Sequence, residues 1–198
     1  MTHVARFTIL AAALAVVPSI VEAGPPLICH PFQTSGSPHL QWGAGSGWNT
    51  PDQRYDLQRL TADTLALLNA DAPILARMEN MRRAAIYATR DRRVAETLLA
   101  AVTARAAAPD ASRLSVFDAG YLIETYKQAN HLFGRAVTTQ DGYAMVRRAI
   151  AMGGPVPEME FAAALMTQGA ASAAHLQRAR TASASDPLLA RNLSNLGW

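Results

Sequence analysis

Cys29 and His30 are the sharpest chemical pair in the chain. A thiolate and an imidazole side by side suit Cu(I) or Zn(II). His39 follows nine residues beyond His30, and the chain holds seven methionines that could extend a copper-type ligand set. Met145, Met152, Met159 and Met166 recur every seven residues, but the breakers from Gly153 to Pro157 interrupt any helix that would align them. Two adjacent ligands do not define a metal site. The competing reading makes Cys29 a small buried hydrophobe and the methionines core fillers. The same dipeptide ends the c-type haem sequence C-x-x-C-H, yet Pro26 stands where the first cysteine belongs.

Catalysis has weaker support. A Cys29 nucleophile would need a base such as His131 or His175 and an orienting acid such as Asp118 or Glu124. Glu124, Glu160 and Asp118 offer carboxylates for a helical hydrolase or lyase, and a groove gathering Glu124, Glu160 and a histidine would favour that reading. Glu158 and Glu160 are two apart on one helix and diverge, and Glu158 reads as a complement to a helix N-terminus. Glu124 and Glu160 sit among apolar neighbours, which implies partial burial and pairing with arginine. Gly43 to Gly47 lacks the Lys-Ser/Thr ending of a phosphate loop. Ser46 lacks the flanking glycines of a nucleophile elbow.

The N-terminus predicts an export signal. Arg6 gives a short positive region, Phe7 to Val17 an apolar run, and Val21-Glu22-Ala23 small residues at the cleavage positions. Residues 1–23 are therefore expected to be a signal peptide cleaved before Gly24, placing the mature protein in the periplasm or outside the cell. The apolar run is far short of the ~20 residues of a membrane span, so no stable span is expected after cleavage. Cys29 is the only cysteine, so no internal disulfide can form. The net charge is +3, carried almost entirely by arginine, without a dense basic block interleaved with aromatics. Nucleic acid is not an expected partner.

The elements divide near Thr50. Residues 24–49 carry too many prolines and glycines for a helical or alternating period, yet they hold Phe32, Trp42 and Trp48. Left in water, each would forgo on the order of 2 kcal/mol of burial energy. The segment is thus expected to be an irregular arm anchored by these aromatics on the helical body, across 112–131 and 158–168, with Cys29 sheltered beside it. From 50 to 198 the pattern is helical. Starts are predicted at Thr50-Pro51-Asp52, Asp71-Ala72-Pro73, Asp91, Ser112, Asp141 and Asp186, with two further helices over about 158–168 and 172–182. On the second helix Ile74, Met78, Met81 and Ala85 form the inward stripe, and Arg77, Glu79, Arg82 and Arg83 are expected mostly to face away. The helix from Ser112 to His131 is apolar on two rows and should be central.

Helix starts about 20 residues apart suggest an all-α array, either an α-solenoid with a tetratricopeptide-like rhythm or an irregular bundle. Several strings resemble a family of exported bacterial proteins to which no reaction is assigned: Gly24 to Phe32, Trp48 to Asp52, Tyr55 to Leu68, Arg82 to Ala88 and Phe117 to Leu122. That resemblance implies export and carries over no catalytic residue. The leading expectation is an exported binding or scaffold module for a protein, peptide or envelope component, favoured over an enzyme. The alternatives are a copper or zinc protein centred on Cys29 and His30, and the carboxylate hydrolase or lyase.

Overall fold

The computed structural model describes residues 26–45 and 47–195. The expected signal peptide, residues 1–23, lies outside the described residues. Within them every regular element is helical: α1 (Pro26–Cys29), α2 (Leu60–Leu67, entered through a 3-10 turn at Leu57–Arg59), α3 (Ile74–Ala88), α4 (Arg92–Ala107) and α5 (Arg113–Gln128) come first. They are followed by α6 (Asn130–Phe133), α7 (Gly142–Ala151), α8 (Pro157–Leu165), α9 (Gly169–Ser183) and α10 (Pro187–Asn195). No described helix is long and apolar enough to cross a membrane.

The predicted caps hold where the cap is purely local. Asp91 accepts from the Arg93 amide, Ser112 from Ser115, Asp141 from Ala144, and Asp186 from Leu188 and Leu189. Each satisfies an amide that the first helical turn leaves unpaired. Two predicted starts are corrected. The Thr50 hydroxyl donates instead to the carbonyls of Gly45 and Gly47, and Asp52 closes a turn onto the Arg54 amide. The first helical turn waits until Leu57, where Asp56 caps it. Asp71 does not cap α3; Pro73 stands at that position without a side-chain bond.

Packing selects the irregular bundle over the solenoid. In a solenoid each helix pair touches only its neighbours. Here α5 packs against α1, α3, α4 and α7, while α8 meets α3, α7, α9 and α10. The chain also closes on itself, because Asn192 on α10 exchanges hydrogen bonds with both backbone groups of Gln33. The 20-residue rhythm of starts therefore does not become a repeat stack. As expected, α5 is central: Val116 to Tyr126 are all buried. It crosses α7 at Gly120 and Gly142, where a side chain on either residue would strike the other's carbonyl.

The larger correction concerns α3. Every residue from Ile74 to Ala88 except Arg83 is buried, including Arg77, Glu79 and Arg82. Arg77 pairs with Asp118 on α5 and donates to the carbonyls of Asn69 and Ala72; for Glu79 and Arg82 the reason is the arm. It lies along α3 and brings unpaired backbone groups that the α3 side chains satisfy. Glu79 accepts from the Phe32 amide, and Asn80 bonds to Leu40 N and Pro38 O. Arg82 donates to the carbonyls of Ile28 and Trp48, Arg83 to that of Leu40, and the Tyr87 hydroxyl to that of Gln41. A buried backbone group without such a partner costs about 1–3 kcal/mol.

The aromatic anchors dock, Phe32 on the expected helix over 158–168 and Trp42 on α3 instead. Trp42 packs edge-to-face on Tyr87 of α3, with the Arg82 and Arg83 guanidiniums 5.4 and 5.3 Å from its ring. Phe32 is buried and meets Phe161 of α8 edge-to-face, and Trp48 is half-buried against the core. The arm also begins with a helical turn, α1, where none was expected. Leu27 and Ile28 are completely buried there, and the Leu27 amide donates to Gln128 on α5.

Candidate functional sites

The Cys29-His30 pair sits at the end of α1 beside Arg82. Cys29 is half-buried; burial raises its thiol pKa, and Arg82 offsets only part of that rise. Burial and then Arg82 lower the His30 pKa. A guanidinium next to both groups opposes a bound cation. Among the described residues, no three His, Cys, Asp or Glu side chains are placed to hold a metal ion. His39 is directed elsewhere, with its Nε2 2.7 Å from the Thr34 hydroxyl.

Two other places bring polar groups together. The first is a cleft of about 460 Å³ between the arm and α2. One wall is arm residues His39 to Gln41, held from behind by Asn80, Arg83 and Tyr87. The other is formed by Arg54, Tyr55 and Asp56 and by Arg59 and Asp63 on the first helical turns. Tyr55 donates to Asp63 at 2.8 Å and stacks on Tyr87 with ring centroids 4.4 Å apart. Burial and Asp63 together raise its phenol pKa. Asp63 thus has both oxygens engaged, one by Tyr55 and one by Arg59 at 3.3 Å. The Arg54 and Arg59 side chains remain 91% and 70% exposed, which leaves most of their donors facing water. His39 contributes a buried Nδ1 without a partner, and burial followed by Arg83 lowers its pKa.

The second place is a clasp joining α7, α8 and α9. Glu160 Oε2 lies 2.5 Å from His175 Nδ1 and 2.8 Å from Arg178 Nε. His175 Nε2 lies 2.8 Å from the Tyr143 hydroxyl. Glu160 and His175 are buried, Tyr143 is half-buried, and the Arg178 side chain is 48% exposed. The helix crossing sets Tyr143 in place: Gly142 allows α7 to approach α5, and Glu124 on α5 accepts from the amides of Gly142 and Tyr143. Lys127 pairs with the same Glu124 oxygen at 2.8 Å.

The structure therefore gathers Glu160 with a histidine, His175, and puts Glu124 beneath the first turn of α7. It separates Asp118, which is buried against Arg77 at 2.6 Å on the α3–α5 interface. His131 is exposed, with its Nδ1 3.2 Å from the Gln128 carbonyl. Tyr143 carried no functional signal in the sequence. Its position two residues after Asp141 marks it only as an inward aromatic. Compared with known families, curated proteins and solved structures, the chain finds no match in any of the three.

Proposed function

We propose that this protein is an exported binding module whose ligand is a short polar peptide segment carrying at least one carboxylate. The cleft between arm and α2 carries the reading. Its volume falls in the range of ligand sites, roughly 300–1,000 Å³. Its exposed donors are the guanidiniums of Arg54 and Arg59, which pair with Asp52 at 3.5 Å and Asp63 at 3.3 Å and whose planar forks suit a further carboxylate. Asp56 and Gln41 on the same rim give a peptide amide something to bond to. Because bonds to α3 hold the arm wall, little ordering entropy opposes binding. Affinity selection from a random hexapeptide library tests the proposal. Enrichment of peptides bearing Asp, Glu or a free C-terminus is expected, and Arg54→Glu with Arg59→Glu should reverse that preference. A flat selection, or one that the double variant leaves unchanged, would contradict it.

A further inference from the structure

The clasp of α7, α8 and α9 has the order of a catalytic relay: an acid, an imidazole and a hydroxyl. Glu160 Oε2 is 2.5 Å from His175 Nδ1, a separation that requires a proton between them. Nδ1 therefore carries the hydrogen, and Nε2, 2.8 Å from the Tyr143 oxygen, accepts from the phenol. Arg178 Nη2, a donor only, also lies 2.7 Å from Nδ1; with the hydrogen on Nδ1 the guanidinium must turn from the ring to the Glu160 oxygen, which its Nε already meets at 2.8 Å. The opposite tautomer would set two acceptors 2.5 Å apart. A base fixed by an orienting carboxylate and bonded to a hydroxyl is the arrangement that activates a nucleophile.

We infer that Tyr143 is a nucleophile activated by His175, with Glu160 as its positioning residue, and that it takes carboxylic esters with an acidic leaving group, such as aryl esters. The site lies apart from the arm–α2 cleft and does not depend on the peptide reading. The Tyr143 oxygen attacks the ester carbonyl carbon and its proton passes to His175 Nε2. Collapse of the tetrahedral adduct breaks the carbonyl–oxygen bond of the leaving group, which takes that proton and departs as a phenol. Water then cleaves the acyl-tyrosine with His175 as base, releasing the carboxylic acid and restoring the tyrosine. The leaving group must be acidic because a phenolate, of pKa about 10, would be expelled in preference to an alkoxide. Arg147 is exposed and lies over the Tyr143 ring, 5.9 Å from its centroid.

Phenylmethylsulfonyl fluoride is the probe. Attack by an activated phenol breaks the S–F bond, expels fluoride and leaves a stable sulfonate that peptide mass spectrometry locates. Tyr143 should label at least ten-fold faster than Tyr55, the half-buried comparator bonded to Asp63. His175→Gln should slow that labelling at least ten-fold, within the usual range for loss of a general base. Tyr143→Phe should abolish p-nitrophenyl acetate turnover while keeping the helical circular dichroism of the wild type. Should His175→Gln fail to fold, Glu160→Gln makes the same comparison. Equal labelling of Tyr143 and Tyr55, labelling indifferent to His175 or Glu160, or turnover that survives Tyr143→Phe would each overturn the proposal.

Discussion

The seam between the arm and α3 and the clasp of α7, α8 and α9 each bury a glutamate beside arginine, and they spend it differently. In the seam, Glu79 is bonded by Arg82, Arg83 and the Phe32 amide. The arginines pass on to carbonyls of the arm, so the network ends in backbone. In the clasp, Glu160 is bonded by Arg178 and His175, and the network ends at a half-buried phenol. A network that closes on backbone orders a chain segment. One that closes on a half-buried hydroxyl fixes that hydroxyl's position. Counting donors explains a second contrast. Burial pushes the Glu79 carboxyl up, but the bonds from Arg82 and Arg83 outweigh it and the net shift is down. Asp118 has Arg77 on one oxygen and, among the described residues, nothing on the other, and burial carries its pKa up to about 6.

The seam should break hardest. Glu79→Gln leaves Arg82, only 1% exposed, without its counter-charge. A stranded buried charge of this kind costs about 3–5 kcal/mol, read as a lower denaturant midpoint. Trp42→Ala should come next. It removes a half-buried indole, its edge contact with Tyr87 and the two guanidiniums over its ring, for a loss of about 2 kcal/mol in the same titration. An unchanged midpoint would mean that the arm is held by backbone bonds alone.

Asp118→Asn gives the sharpest test of the donor count, read from the pH dependence rather than from the midpoint. Its carboxyl ionises near 3.8 in the unfolded chain and near 6 in the folded one. Between those values the folded protein holds a proton that the unfolded chain has lost, so this group costs stability as pH rises from about 4 to 6. The Glu79 contribution has the opposite sign: it is present above the ordinary glutamate value of 4.5 and is lost as pH falls through the lowered one. Unfolding free energies across pH 4–7 should show wild type declining relative to Asp118→Asn through that window. Parallel curves would place the Asp118 carboxyl at its ordinary value.

The difference between the two regions also marks how far the sequence could be read. The caps at Asp91, Asp141 and Asp186 are legible because the group they satisfy lies two or three residues away. So is the central place of α5, whose apolar residues fall on two rows. Thr50 carries the same local signal, but its hydroxyl finds carbonyls at Gly45 and Gly47 that no helical pattern reveals. The charges of α3 read as solvent-facing because periodicity assigns polar residues outward. Glu79, Arg82 and Arg83 find partners on an arm some 30 to 50 residues upstream, and Arg77 finds Asp118 on α5; only the packed chain supplies them. Glu160 and His175 stand out singly by type, and Glu160 by its apolar surroundings, but three helices are needed to bring them to Tyr143. The Cys29-His30 pair is the reverse case, a conspicuous pair of residue types set beside a guanidinium that opposes a metal ion.

If the clasp serves the proposed chemistry and the seam serves the fold, comparing Glu79→Gln with Glu160→Gln in one denaturant titration tests the difference most directly. Arg82 has no route to water when its acid is lost, whereas the Arg178 side chain is already 48% exposed. Glu79→Gln should therefore lose at least twice the unfolding free energy lost by Glu160→Gln. Equal losses would contradict the account and make the clasp a second brace of the bundle.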